Sequence, residues 1–247
     1  MRNVLIAGIS GAIGSSIARE LIRRDPEIRV FGLCRQPDKV SEEVRIARQV
    51  CLIRWDAEKP GDADEMRATL ARALPYDTGL DCVIFAVGVL HGGGTFPEKR
   101  LEDLETEAFL RSIQVNASSF GMLVKSLLPW LRHKFFKRIV AISAKVGSIS
   151  DNRFGGWYAY RSSKAALNML VKTLSVELPR RCKPVVCVAV HPGTTRSALS
   201  EPFSRSLQQL EVHSPHETAL HILAVVDDLD ESRNGCFLNW DGEELRW

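Results

Sequence analysis

Short runs of continuously apolar residues recur along this chain, and most of them hand over to a helical pattern. Val4–Ala7 leads to Ala12–Arg24, Val50–Arg54 to Asp64–Ala73, and Cys82–Ala86 to a long or broken helical stretch, Leu101–Arg132. Arg138–Ile142 leads to Tyr158–Glu177 and Pro184–Val190 to His216–Val226, while Ile28–Leu33 and Cys236–Leu238 add two further strands. A strand that is apolar without alternation must be covered on both faces, and intervening helices provide that cover. The pattern predicts an α/β fold built on a doubly wound parallel sheet of about seven strands, with helices on both faces. Ligands of such sheets bind beyond the carboxyl ends of the strands.

No linker, repeat or low-complexity segment interrupts the alternation, so residues 1–247 are expected to form a single domain. Hydrophobic residues at 45%, charged residues at 26% and a formal charge of +3 describe an ordinary globular chain, without the basic face that nucleic acid requires. Arg180, Arg181 and Lys183 form a small cluster at a helix end. Six cysteines show neither CxxC nor His/Cys metal spacing, so neither a disulfide framework nor a metal site is expected. The start of the chain lacks the pattern of a signal peptide, and the apolar run Cys82–Leu90 is too short to span a bilayer. A cytoplasmic protein with no membrane partner is the expectation.

The first strand runs into Gly8–Ile9–Ser10–Gly11–Ala12–Ile13–Gly14 and then into an amphipathic helix. Exposed N–H groups and the helix dipole at such a turn favour a pyrophosphate, so Gly8, Ser10, Gly11, Ile13 and Gly14 are candidate dinucleotide contacts. After the second strand, an NAD site requires a carboxylate for the ribose 2′-OH. Cys34 stands there instead and Arg35 follows, a guanidinium suited to a 2′-phosphate. NADP(H) is therefore expected over NAD(H).

Tyr160 and Lys164 stand four residues apart on one predicted helix, hence on one face and about a turn apart. A phenol ionises near pH ~10, and a neighbouring ammonium lowers that value towards the range useful for acid–base work. Tyr158 has Ser162 rather than a lysine four residues on, so Tyr160 is the better candidate.

The glycine loop, with Ala7 and Ala12 as departures, resembles the TGxxxGxG fingerprint of the short-chain dehydrogenase/reductase superfamily. Tyr160–Arg161–Ser162–Ser163–Lys164–Ala165–Ala166–Leu167 resembles its YxxSKAAL helix. Gly147–Ser148–Ile149 and Gly156–Trp157–Tyr158 look most like the C-factor/Sniffer-like carbonyl reductase subgroup. The resemblance covers essentially the whole chain and implies a Rossmann-type fold. It further implies that Asp56 contacts adenine, that Ala86 and Gly88 occupy the NNAG position beside the cofactor, and that Pro192, Gly193 and Thr194 contact the nicotinamide amide. Lys164 would also grip the ribose, and Asn116 would hold a water in the proton relay. The serine that polarises the substrate carbonyl has Ala144 at its place. Ser143, one residue early, and Ser148, four residues late, are the candidates to replace it.

These readings together describe an NADP(H)-dependent oxidoreductase acting on a small-molecule carbonyl/alcohol pair, with Tyr160 as acid/base. The alternative is a catalytically weak binding or cell-signalling protein that keeps the fold and the dinucleotide, and a second rival is an NAD-dependent alcohol oxidiser. Apolar residues beyond one helical stripe, such as Leu123, Leu127, Met169 and Leu170, together with the resemblance, suggest a homodimer or homotetramer. A substrate loop is expected near 194–215, with Phe203, Leu207 and Leu210 giving apolar character, and Gly92–Lys99 is a second loop. His91, His213 and His216 are expected to be solvated.

Overall fold

Strand β1 (Asn3–Ala7) is buried along its whole length, and its side chains divide between two cores. Leu5 and Ala7 enter one apolar cluster, Val4 and Ile6 the other, as the two-residue period of a strand requires. This arrangement is seen in a computed structural model that describes residues 1–59, 62–92, 96–203 and 211–247.

One face carries α1 (Ala12–Arg24) and α8 (Pro215–Asp228), which bury Ile17, Leu21, Ile222 and Val226 against the sheet. The other carries α3 (Asp62–Ala73), α5 (Ser119–Leu131) and α6 (Tyr158–Glu177), with Leu70, Phe120, Trp130 and Val171 in its core. The fully buried Trp130 indole keeps its polar atom satisfied by donating to Leu74 O at 2.7 Å.

The sheet adds β2 (Arg29–Cys34), β3 (Val50–Arg54), β4 (Cys82–Phe85), β5 (Lys137–Ile142), β6 (Val185–Val190), β9 (Phe237–Leu238) and β10 (Glu244–Leu245). Its spatial order is β10-β9-β6-β5-β4-β1-β2-β3, parallel throughout except for the β9–β10 pair. The chain winds outward from β1 to β3 and then restarts at β4 on the other side of β1. That reversal opens a crevice at the carboxyl ends of β1 and β4. Both the glycine loop and Gly88 lie there.

The expected parallel α/β sheet is present, with one short antiparallel strand added to the expected seven. Several elements were too short to leave a periodic signal: α2 (Glu42–Ile46), α7 (Pro179–Cys182), and the pair β7 (Thr194–Thr195) and β8 (Val212–His213). The helical stretch after β4 is broken into α4 (Thr106–Ile113), a π-turn over Gln114–Ser118, and α5. Leu123 and Leu127 point into the core rather than outward, because α5 buries a wider stripe than its pattern suggested; Met169 is exposed and Leu170 half-buried. His213 is buried, not solvated, whereas His216 is exposed and His91 reaches Ala198 O and Leu199 O at 3.1 Å. Residues 93–95, Leu207 and Leu210, with the Phe203 side chain, lie outside what the structure describes. All six cysteines are unpaired. Among the described residues no helix is long and apolar enough to cross a membrane, and no group of three or more His, Cys, Asp or Glu could hold a metal ion.

Candidate active site

The turn after β1 is shaped by backbone packing. Gly8 adopts φ +86°, a left-handed conformation that a side chain would strain. Its N–H and that of Ile9 donate to Leu33 O at 2.9 and 3.3 Å, which ties the loop to β2. A Cβ on Gly14 would stand 2.3 Å from Gly8 O, so the first turn of α1 lies directly on the loop. Ile9 is fully buried over Gly32, whose missing side chain makes room for it. That support was legible only as an isolated glycine inside a strand. Gly11 caps α1 without a side-chain bond, and the first turn holds no acidic residue. Ser10 and Gly11 are exposed, with Ile13 half-buried beside them. The open helix end suits an anion, and the residues present fit a dinucleotide pyrophosphate.

At the far end of the crevice Arg35 is exposed just beyond β2, while Cys34 is buried and its thiol is pushed up to about 11 by burial. Arg54, exposed and in register with Cys34 on β3, adds a guanidinium to the same edge. Asp56 accepts from Glu58 N at 3.0 Å and so caps its own turn. Gly88 is open on its Cα side: a Cβ there would meet only Lys164 Nζ at 3.6 Å and Asn116 Oδ1 at 3.7 Å.

The opposite wall is held by side chains. Lys164 is 3% exposed, and its Nζ donates to Ile142 O at 3.0 Å and lies 5.8 Å from the centre of the Tyr160 ring. Burial lowers this ammonium to about 8 and pushes the Tyr160 phenol well above the ordinary tyrosine value. Asn116, on the π-turn, is fully buried and grips the segment after β4 as a short strand would. Its Oδ1 accepts from Val89 N at 2.7 Å and its Nδ2 donates to Val89 O at 2.8 Å. The same amide reaches Ser163 Oγ at 2.9 Å and Ser112 Oγ at 3.2 Å, and Ser163 Oγ donates to Tyr160 O at 2.8 Å. One network therefore joins α4, the π-turn, α6 and the β4 loop. Ser112 and Ser163 were not singled out in the sequence.

Ser143 is buried and donates its one proton to Asn168 Oδ1 at 2.6 Å, clamping the end of β5 to α6. Ser148 is buried too, with its Oγ accepting from Asp151 N at 3.2 Å. Ala144 continues the extended backbone at φ −152°, so its side chain and that of Ser143 leave on opposite faces. Beyond β6, Pro192 is buried, Gly193 takes φ +73°, and Thr194 opens β7. A Cβ on Gly193 would stand 2.9 Å from His213 Nδ1. The neighbouring His191 is lowered to about 4 by burial, so it is neutral at pH 7.

Tyr160 also lines a cavity of about 260 Å³, together with Leu90, Phe96, Glu98, Ala108 and Arg111. The wall is partly apolar, and the Arg111 guanidinium is paired with Glu58 at 2.8 Å.

Residues 2–208 match the family model described as short chain dehydrogenase. The C-signal protein of Myxococcus xanthus is 31% identical over 147 residues, which are 60% of this chain and 83% of that protein. The carbonyl reductase Sniffer of D. melanogaster shares the fold with a TM-score of 0.85 at 24% identity, covering 100% of both chains. An NADPH-bound carbonyl reductase from chicken fatty liver gives 0.84 at 24% identity, covering 100% of this chain and 99% of that one.

Proposed function

Since the chain belongs to the short chain dehydrogenase family, we propose that it is an NADP(H)-dependent reductase of small carbonyl compounds. The observation that carries this reading is the placement of half-buried Tyr160 over buried Lys164 on one face of α6, beside Gly88 and the Asn116 network. The α1 N-terminus with Gly8, Ser10, Gly11, Ile13 and Gly14 would hold the pyrophosphate, and Arg35 the 2′-phosphate. Asp56 and Ala86 would face the adenosine half. Lys164 would hold the nicotinamide ribose, and Pro192, Gly193 and Thr194 the amide. When bound, NADPH supplies the hydride.

Tyr160 donates the proton to the carbonyl oxygen. Its phenol, pushed up by its surroundings, is a weak acid by itself, and the Lys164 ammonium, still protonated at neutral pH, stabilises the phenolate left behind. Asn116 keeps Val89 and Ser163 in register, so the tyrosine's helix and the cofactor-side loop move as one. The cavity against Tyr160 receives the substrate, its apolar side facing the substrate's carbon skeleton. The NADPH-bound carbonyl reductase of the same fold supports this choice of cofactor and substrate class. Met122, Met169 and Val176, exposed on α5 and α6, are assigned to contacts between copies in a homodimer or homotetramer.

One observation favours a second reading. With the Ser143 proton committed to Asn168 and an alanine at 144, no serine hydroxyl on this strand is free to polarise a carbonyl. Losing such a donor costs ~3 kcal/mol of transition-state stabilisation. A weak catalyst with a binding or signalling role follows, in keeping with the resemblance to C-signal.

Fluorescence titration with NADPH and NADH separately, then a screen of aldehydes, quinones and diketones, tests the proposal. NADPH is expected to bind more tightly, and Arg35→Ala to weaken it about 10-fold while sparing NADH. An unchanged NADPH/NADH ratio in that variant would overturn the cofactor assignment.

A further inference from the structure

We infer that Glu98, reaching over from the loop after β4, is the positioning residue that sets the first turn of α6 and hence the direction of Tyr160. The inference rests on the acid/base reading of Tyr160. The approach to α6 is strained. Gly155, Gly156 and Trp157 adopt φ +63°, +64° and +51° in succession, and Trp157, the N-cap, is the only non-glycine residue with positive φ among the described residues. A side chain in that region is disfavoured unless its surroundings hold it there. Trp157 also contributes no side-chain cap, so the helix that carries Tyr160 lacks the usual local device at its start.

Glu98 replaces that device from 61 residues away. Its Oε2 accepts from Ala159 N at 3.3 Å, taking up one of the N–H groups that a helix leaves unpaired in its first turn. Its backbone carbonyl accepts from Trp157 N at 2.6 Å, directly at the left-handed residue. One residue thus holds both the strained N-cap and the first turn, and Tyr160 is next in the chain. Arg161 assists from the other side, donating to Gly155 O and Gly156 O at 3.2 and 3.1 Å. Glu98 is 6% exposed, so its carboxylate is held where the acceptor is needed, and negative charge is favourable at a helix N-terminus. It also lines the cavity that Tyr160 lines, as do Phe96 and Pro97 just before it. The segment that receives substrate is therefore the one that aims the proton donor.

The test compares Glu98→Ala and Glu98→Gln with the parent by turnover, NADPH affinity, melting temperature and hydrogen exchange at the Ala159 amide. Glutamine keeps an acceptor oxygen and loses only the charge; alanine loses both. Glu98→Ala is expected to lower kcat about 10- to 100-fold with NADPH affinity within twofold, because a small misplacement of the acid suffices. Its melting temperature should fall by roughly 2–4 °C, and the Ala159 amide should exchange faster. Glu98→Gln should restore most of the turnover and the protection. Parent-like turnover and Ala159 protection in Glu98→Ala would overturn the inference, as would Glu98→Gln behaving like Glu98→Ala. Should Glu98→Ala fail to fold, slow exchange at Ala159 together with high turnover in Glu98→Gln still supports a cap, and fast exchange with low turnover refutes it. If Tyr160 itself proves dispensable for turnover, the acid/base reading fails, while Ala159 exchange still decides whether Glu98 caps the helix.

Discussion

The turn between β1 and α1 keeps its shape with backbone atoms: Gly8 bonds to Leu33 O, and Gly14 lies on the Gly8 carbonyl. The wall formed by α4, the π-turn and α6 keeps its shape with side chains, through Asn116, Ser112, Ser163, Asn168 and Glu98. The two regions face one crevice and tolerate change differently. In the first, backbone approach decides: Gly8 and Gly14 leave no room for a Cβ, at 2.8 Å from Ala86 O and 2.3 Å from Gly8 O. In the second, single polar atoms carry the geometry, and the loss of one donor or acceptor is felt.

The sharpest break of this contrast is Gly14→Val. Added atoms would meet Gly8 O at 2.3 Å, in a place where no flexible side chain can yield. Overpacking of this kind costs ~1–3 kcal/mol or more, so NADPH affinity measured by fluorescence should fall at least about 10- to 100-fold. An unchanged Kd would mean that the loop is softer than its packing implies.

On the other wall, Lys164→Met should lower turnover about 30-fold and yet raise the melting temperature at pH 7. The native ammonium is held at about 8 against an ordinary 10.5, so the unfolded chain takes up this proton first as pH falls. The parent therefore loses stability as pH falls from 10.5 to 8, by up to about 3 kcal/mol. Below pH 8 that penalty is fully present. Denaturant titrations across this window should show a slope in the parent that is absent in Lys164→Met. Equal slopes would contradict the buried-ammonium account.

Ser143→Ala is the smallest and most discriminating change. It strands the Asn168 Oδ1 acceptor and should cost ~1–3 kcal/mol of stability, with turnover within about threefold. A fall of ~10²–10³-fold in kcat would instead make Ser143 the group that polarises the carbonyl.

The parallel sheet was legible because continuous apolar strands leave few other ways to bury both faces. Tyr160 and Lys164 were legible because helical spacing places them together. What was not legible depends on contacts distant in sequence. Ser143 and Asn168 are 25 residues apart and Glu98 and Ala159 are 61, and neither pair leaves a local pattern. The π-turn appeared only as a break in a long helical stretch, although it brings Asn116 to Val89. His213 looked like a loop histidine because β8 is two residues long, and its burial comes from Trp240 and His221 packing around it.

The most direct test of the central claim is Tyr160→Phe, with NADPH titration and carbonyl turnover measured on the same preparation. Removing this one hydroxyl should leave NADPH affinity within about twofold and lower turnover at least ~100-fold. Turnover that persists would contradict the assignment of Tyr160 as the proton donor and shift the weight to the binding or signalling reading.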